Sequence, residues 1–233
     1  MATSRFNEWR QAAEVDERDH QTKAFKWCSN REEEGLGGVL ADEMGLGKTI
    51  IMLGLTVTRF MEEGTLIVVP RSLLDQWEGA IQRFLKHDVL VYHGTRGSEA
   101  ELLTAPMVLT TYGTALSRRN KIMQKTWGRL ICDEAHHCRN SKTHLFSAVA
   151  RIDAQVRWMV TGTPIQNKVS DIRALFYILR CPRAPIIQLI RQYVLRRTKV
   201  GVGIDMPDLN FHEDSISWHC DETGVSKEIH EMV

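Results

Sequence analysis

The 233-residue sequence has 43% hydrophobic and 25% charged residues, which is ordinary for a globular protein and enough for one α/β domain with a large core. Its net charge of +1 does not by itself indicate a nucleic-acid binder, and it has no run of about 18 apolar residues that would span a membrane. Its five cysteines form no CxxC pair, and its first residues lack the apolar core of a secretory signal. We therefore predict an intracellular protein.

Short apolar strands alternate with amphipathic helices along the chain, which is the pattern of a parallel sheet with helices on both faces. Several strands are continuous runs of valine, isoleucine and leucine, as expected for strands that are buried on both faces. We therefore predict an α/β fold with a mostly parallel sheet. The six predicted strands are GVLA (38–41), TLIVV (65–69), VLVY (89–92), MVLTT (107–111), RLICD (129–133) and RWMVT (157–161).

Two helices are predicted between the early strands. The first begins at Lys48, ends at Gly64 and includes Phe60 among the apolar residues of its inner face. The second begins with Ser72 as its N-cap and places Trp77 on a face directed to the core.

The motif ADEMGLGKT, residues 41–49, lies where a strand ends and a helix begins. Free backbone N–H groups and the helix dipole favour phosphate at such a position. Lys48 would supply positive charge to the β- and γ-phosphates, and the Thr49 hydroxyl would bind Mg²⁺. Asp42 stands where the common phosphate loop has glycine, but aspartate also tolerates turn conformations. The preceding GLGG (35–38) is predicted to be a flexible loop.

The segment LICDEAHHCRN, residues 130–140, raises two metal hypotheses. A zinc site would use its two cysteines and two histidines, but four ligands this close in sequence at a strand end would converge poorly on one tetrahedral ion. A phosphate loop instead needs an acid at the end of a neighbouring strand as a second Mg²⁺ anchor. Asp133 has that position, and Glu134 could orient or deprotonate the attacking water. We therefore predict magnesium, bound by Thr49 and Asp133, and no zinc.

Together these motifs resemble the SWI/SNF-type helicase-like ATPases of helicase superfamily two. The resemblance rests first on ADEMGLGKT, DEAHH (133–137) and MVTGTPIQN (159–167). LIVVPRSLLDQW (66–77), LTTYGT (109–114) and LRRTK (195–199) resemble further motifs of the family and follow the family order. TGTPIQN followed by LFYILRC is similar to the branch that contains DNA-repair and transcription-termination translocases.

The resemblance implies a RecA-like P-loop lobe over residues 1–207, followed in 208–233 by the start of a connection to a second lobe that this sequence lacks. It implies ATP and Mg²⁺ as cofactors, and duplex DNA as a partner bound through its phosphates without sequence readout. Lys48, Asp133 and Glu134 would be the catalytic residues. A eukaryotic protein of this kind would be nuclear.

The resemblance also assigns roles to three groups of residues. The predicted ATP contacts are Gln21, Met44, Gly45, Leu46, Gly47, Lys48, Thr49 and Ile50. The predicted couplers between nucleotide state and DNA binding are His136, His137, Thr161, Gly162, Thr163 and Gln166. The predicted DNA contacts are Pro70, Arg71, Ser72, Thr110, Thr111 and Tyr112.

Simpler roles stay open for several of these residues. Ser72 could only cap a helix, and Thr110–Tyr112 could only end a strand. Thr161–Thr163 could be a polar strand end before a proline, and each of His136 and His137 could make only local hydrogen bonds.

The predicted function is the ATP-binding lobe of a DNA-dependent ATPase that translocates on duplex DNA or remodels protein–DNA complexes. Two windows without acidic residues, 102–132 and 172–204, carry five and seven lysines or arginines and favour phosphate binding. The alternatives are a nucleotide-binding or interaction module with little hydrolysis, and a strand-separating helicase. No segment offers the arginine that the family supplies from its second lobe, so slow hydrolysis is expected. Arg196 and Arg197 are expected to pack or to contact DNA instead.

Overall fold

A parallel β-sheet organises the part of the chain that the computed structural model describes, namely residues 2–117, 121–163 and 169–204. Seven strands lie in the order β3-β4-β2-β5-β6-β1-β7, and every neighbouring pair in these ranges is parallel. The strands are β1 (Gly38–Leu40), β2 (Thr65–Val69), β3 (Leu90–Tyr92), β4 (Met107–Thr111), β5 (Trp127–Cys132), β6 (Ala154–Val160) and β7 (Val194–Leu195).

Helices connect these strands and cover both faces of the sheet. They are α1 (Ala2–Ala12), α2 (Asp19–Glu33), α3 (Lys48–Thr58), α4 (Leu74–Leu85), α5 (Glu99–Thr104), α6 (Tyr112–Leu116), α7 (His144–Arg151), α8 (Val169–Ile178) and α9 (Ile186–Tyr193). Single 3₁₀ turns lie at Arg71–Leu73, Ile122–Gln124, Ala135–Cys138 and Val200–Val202. Within the described ranges, no helix combines the length and the apolar character needed to cross a membrane.

The α/β fold and all six predicted strands are confirmed. The core explains why their sequences are continuously apolar: in β2, Leu66 and Val68 pack into one hydrophobic cluster, whereas Ile67 and Val69 pack into another on the opposite face. The sequence analysis missed β7. This strand has only two residues, and its role is to add an edge beside β1.

The first helix is shorter than predicted, because α3 ends at Thr58 and Phe60 lies beyond it with 71% of its surface exposed. The predicted inner face, which comprised Ile50, Leu53, Val57 and Phe60, was only partly right. Leu53 is fully buried, but Val57 is 44% exposed, and Ile51 and Met52 are fully buried although the prediction left them out. Helix α3 is covered by α1 as well as by the sheet. A Cβ added to Gly54 would lie 2.3 Å from Phe6 Cε2, so the two helices approach closely.

Two other predictions of local structure need correction. Ser72 does not cap a helix: it lies in the 3₁₀ turn that precedes α4, and the N-cap of α4 is Leu73, without a side-chain cap. Trp77 is buried as predicted. The GLGG segment is not loose, because a Cβ on Gly37 would lie only 1.7 Å from the Arg157 carbonyl oxygen. Glycine is needed there for close backbone approach.

A buried ion pair joins α2 to the centre of the sheet. Arg129 on β5 donates from Nε and Nη2 to the two carboxylate oxygens of Glu32, at 2.7 and 2.5 Å, and both side chains have no exposed surface. Glu32 also accepts from Trp158 Nε1 at 2.9 Å, and Arg129 donates to Thr65 Oγ1 at 3.2 Å. These bonds connect α2, β2, β5 and β6 around one desolvated pair.

Removing one charge of this pair should destabilise the fold. Glu32→Gln leaves the Arg129 charge buried and unpaired, and we expect the free energy of unfolding to fall by about 3–5 kcal/mol. Glu33→Gln is the matched control, because its side chain is exposed on the same helix and should change stability by less than about 0.5 kcal/mol. Urea unfolding followed by tryptophan fluorescence measures both. Equal stabilities of the two variants would contradict this account of the core.

Candidate functional site

The loop between β1 and α3 has the backbone that a phosphate loop requires. Gly45 and Gly47 have φ of +89° and +81°, in the left-handed region that favours glycine, and Gly47 is the N-cap of α3. Lys48 Nζ donates to the Asp42 carbonyl at 2.9 Å and to the Glu43 carbonyl at 3.4 Å, so its amine lies across the loop. The helix N-terminus, with its free N–H groups, and the lysine charge together favour an anion.

Gln21 on α2 lies against this loop. Its Nε2 donates to the Leu46 carbonyl at 3.4 Å, and a Cβ added to Gly47 would be 2.2 Å from Nε2. Gln21 Oε1 is buried, and within the described ranges it has no hydrogen-bond partner. A buried acceptor without a partner fits a ligand that brings an N–H donor, such as the exocyclic amine of adenine.

Asp133 follows β5 and is held from two sides. Trp77 Nε1 donates to Asp133 Oδ2 at 2.7 Å, the Glu134 backbone N–H donates to Oδ1 at 2.9 Å, and the side chain is nearly buried. Burial raises the pKa of this carboxyl, and the bond from Trp77 opposes the rise; the charge of Lys48 opposes it more weakly. Neutral donors therefore hold this carboxylate at the end of β5.

Glu134 is connected to the segment after β6 through a histidine. Its backbone is in the left-handed region, with φ of +48°, and its Oε2 lies 3.0 Å from His136 Nδ1. The same ring nitrogen is 3.4 Å from Thr161 Oγ1, which in turn accepts from the Thr163 backbone N–H at 3.2 Å. A continuous set of polar contacts therefore joins Glu134 to Thr163.

The remaining predicted couplers lie around this connection. A Cβ added to Gly162 would be 3.7 Å from Lys48 Nζ, so the segment after β6 passes beside the phosphate loop. The His137 ring stacks on His136 with centroids 4.6 Å apart, and burial lowers the pKa of His137, with the charge of His136 as a smaller cause. Gln166 lies outside the described residues.

The six predicted DNA contacts fall into two groups. Arg71 and Ser72 are exposed and Pro70 is half-buried, beyond the end of β2. Thr110–Tyr112 are instead buried, and their side chains have internal partners: Thr110 donates to the Tyr92 carbonyl, Thr111 caps α6, and Tyr112 donates to the Asp133 carbonyl at 2.7 Å. The simpler interpretation of these three side chains as the end of a strand agrees with this geometry.

The four side chains of the zinc hypothesis have different surroundings. Cys132 and Cys138 are fully buried in the hydrophobic cluster on one face of the sheet, whereas His136 and His137 reach the surface. Burial raises the pKa of both thiols, to about 12 for Cys138. Over residues 2–117, 121–163 and 169–204, no three histidine, cysteine or acidic side chains are grouped to hold a metal ion.

The sequence analysis missed the partner of Asp42. This carboxylate is fully buried and pairs with Arg197, which follows β7. The sequence contains one indication of such a partner, since Asp42 replaces the usual glycine of the phosphate loop. A buried carboxylate in a loop requires a cation or several hydrogen-bond donors. Of the two expectations for Arg197, packing within the lobe is the one that the geometry supports.

A profile of the SNF2-related domain matches residues 20–185, which include the phosphate loop, Asp133 and the segment after β6. The chain belongs to this family. The resemblance drawn from the motifs is therefore confirmed, and so is the RecA-like lobe expected from it.

Several SNF2 relatives are similar over most of the chain. A probable global transactivator of Orgyia pseudotsugata multicapsid polyhedrosis virus is 30% identical and matches 91% of this chain and 48% of that protein. Transcription termination factor 2 of Drosophila melanogaster is 34% identical over 70% of this chain and 20% of that protein. The structure of a Sulfolobus solfataricus SWI2/SNF2 ATPase core in complex with dsDNA superposes with a TM-score of 0.69 and 29% identity, over 79% of this chain and 45% of that one. The chain thus spans about half, or less, of these relatives.

The contact between Gly47 and Gln21 gives a prediction about stability. Gly47→Ala puts a Cβ in the left-handed region and against the Gln21 amide, so the free energy of unfolding should fall by at least about 1–2 kcal/mol. Gly79→Ala is the control, because Gly79 lies within α4 with no atom within 4 Å of its added Cβ. That variant should gain about 0.5–1 kcal/mol from helix propensity. Urea unfolding of the two variants distinguishes strain in the loop from a general effect of replacing glycine. An unchanged urea midpoint in Gly47→Ala would contradict the described loop conformation.

Proposed function

We propose that this chain is the ATP-binding lobe of a DNA-dependent ATPase that translocates on duplex DNA or remodels protein–DNA complexes. One observation carries the proposal. Lys48, Asp133 and Glu134 lie at the same edge of the parallel sheet, and the Thr161–Thr163 segment lies at that edge too. Membership of the SNF2 family supports it, because relatives of this chain are named as ATPases and one solved relative binds dsDNA.

The residues present fit ATP and Mg²⁺. The backbone N–H groups of the phosphate loop and Lys48 would hold the phosphates, with Met44, Leu46 and Ile50 at the predicted contact positions. Thr49 and Asp133 would bind Mg²⁺, which usually takes one or two protein oxygens together with substrate phosphates. The unpartnered Gln21 Oε1 would accept from the adenine amine. When bound, Mg²⁺ would neutralise charge on the β- and γ-phosphates.

Glu134 would orient the attacking water and accept its proton. The contact with His136 holds this carboxylate in one direction, and Trp77 does the same for Asp133. The Thr161–His136–Glu134 contacts would let a shift of the segment after β6 move the Glu134 carboxylate. We propose that these contacts couple the bound nucleotide to the affinity for DNA. Gln166 is predicted to take part in the same coupling.

Arg71 and Ser72 would contact DNA phosphates directly, because both are exposed beyond the end of β2. We propose that Thr110, Thr111 and Tyr112 instead shape the neighbouring surface through their internal bonds. A second RecA-like lobe would complete the ATPase, in line with the 45% of the Sulfolobus core that this chain covers. An intracellular location, nuclear in a eukaryote, belongs to the same proposal, and the four described cysteines are free thiols.

Lys48 provides the direct test of nucleotide binding. Lys48→Ala removes charge-assisted bonds worth about 1.5–3 kcal/mol, so the Kd for Mg–ATP should rise about 10- to 100-fold. Lys26→Ala, an exposed lysine of α2, should leave the Kd unchanged. Isothermal titration calorimetry of both variants at one Mg²⁺ concentration measures the difference. An equal ATP affinity in Lys48→Ala and the parent protein would reject the phosphate-loop assignment.

DNA binding should depend on salt and not on sequence. The logarithm of duplex affinity should fall linearly with the logarithm of salt concentration, and Arg71→Ala should reduce the slope by about 1. Arg83→Ala is the control, since this exposed arginine lies at the other end of α4. Fluorescence anisotropy with two unrelated duplexes measures both slopes. The same slope in both arginine variants would remove Arg71 from the DNA surface.

A further inference from the structure

The segment that follows β7 runs along the phosphate loop. Within this segment the Leu195 carbonyl accepts from the Ala41 N–H at 2.7 Å, and the Arg197 carbonyl accepts from the Glu43 N–H at 2.9 Å. The Lys199 N–H donates to Glu43 Oε2 at 2.7 Å. Residues 195–199 therefore follow residues 41–43 like a further strand, and they continue to the glycines of the loop.

Arg197 holds two residues at once: Asp42, the second residue after β1, and His20, the residue before Gln21. Its backbone N–H and its Nε both donate to Asp42 Oδ1 at 3.0 Å, and its Nη2 pairs with Oδ2. Its Nη1 donates to the His20 carbonyl. Because the guanidinium has a rigid planar set of donors, it holds these two groups in a defined relation.

This arrangement bears directly on Lys48. The Asp42 carbonyl accepts from Lys48 Nζ at 2.9 Å, so Arg197 holds the residue against which the phosphate-binding lysine rests. Asp42 is fully buried, and without Arg197 its carboxylate would be desolvated with no cation partner. Arg197 also lines a cleft of about 530 Å³ beside His20, together with Gly201 and Val202 of the following turn.

Lys199 brings a second ammonium group to the loop. A Cβ built on Gly45 would lie 3.5 Å from Lys199 Cε and 3.9 Å from Nζ, so this side chain lies over the glycine that gives the loop its left-handed turn. No ion pair or hydrogen bond of Lys199 Nζ is found in the described part of the chain. An ammonium without an anion partner at the edge of an anion site can pair with a bound phosphate.

We propose that Arg197 and Lys199 complete the nucleotide site: Arg197 is a positioning residue for the phosphate loop, and Lys199 is a second cation for the triphosphate. This inference rests on the proposed function, since it assumes that the loop binds ATP. It adds to that function a role for Arg197 and Lys199, two residues of the LRRTK motif, which lies after residue 185, where the matched profile ends.

The positioning role is tested by comparing adjacent arginines. Arg197→Gln should raise the Kd for Mg–ATP at least about 10-fold, by analogy with the loss of affinity seen when a side chain that orients a metal ligand is removed. Arg196→Gln is the matched control, because Arg196 is the exposed neighbour in the same segment, and it should leave the Kd unchanged. Equal ATP affinities in these two variants would overturn the role of Arg197.

A double variant separates positioning from folding, because Arg197→Gln alone leaves the Asp42 carboxylate buried and unpaired. Arg197→Gln with Asp42→Asn removes both charges, and its urea midpoint should return close to that of the parent protein. Its ATP affinity should stay at least about 10-fold weaker, since neutral side chains do not reproduce the guanidinium geometry. If stability and ATP affinity recover together, Arg197 is only a structural residue and the inference is wrong.

Lys199 is tested by the phosphate dependence of binding. Lys199→Ala should weaken Mg–ATP binding about 5- to 10-fold, should weaken AMP binding much less, and should keep the urea midpoint. An equal loss of affinity for ATP and AMP, or no loss, would show that Lys199 does not contact the triphosphate.

Parallel titration of Lys48→Ala keeps the proposed function and this inference distinct. If the parent protein does not bind ATP, or if Lys48→Ala binds as well, the proposed function fails; a failure confined to Arg197 and Lys199 rejects only this inference.

Discussion

Strand β1 is hydrogen-bonded between β6 and β7, and this pairing sets the position at which the phosphate loop leaves the sheet. Leu40 is in register with Val160 and with Leu195, so the loop, the Thr161 segment and the Arg197 segment leave the same edge at the same height. β5 pairs with β6 in the same direction and delivers Asp133 to that edge. The position of the phosphate loop thus depends on parallel pairing of a three-residue strand that is fully buried.

Two buried acids of this lobe are stabilised by cation partners. Glu32 is paired with Arg129 in the core, and Asp42 is paired with Arg197 at the loop. Within residues 2–117, 121–163 and 169–204 Asp133 forms no ion pair. Trp77 and a backbone N–H donate to it instead, and burial raises its pKa. Glu32 and Asp42 are therefore neutralised within the lobe. Asp133, the acid assigned to Mg²⁺, is held by neutral donors and can still bind a metal ion.

The sequence predicted most of the sheet because strands buried on both faces are continuously apolar, as in TLIVV. It also predicted the phosphate loop and Asp133, since strand ends at one edge of a parallel sheet converge. Features that depend on distant packing were not predictable in the same way. Phe60 looked like part of a helix face, but α3 ends at Thr58, two residues before it, and Phe60 is exposed. Thr110 looked available to a ligand, but its hydroxyl donates to the Tyr92 carbonyl of the neighbouring strand.

The Asp42–Arg197 pair joins residues that are 155 positions apart in sequence. Closing so long a loop costs conformational entropy, which the contacts of the folded lobe have to offset. During synthesis the amino-terminal part emerges first, so Asp42 leaves the ribosome well before its partner exists. Until then its carboxylate stays hydrated and the loop is incomplete. A phosphate loop with Asp42 paired therefore requires that synthesis has passed residue 197.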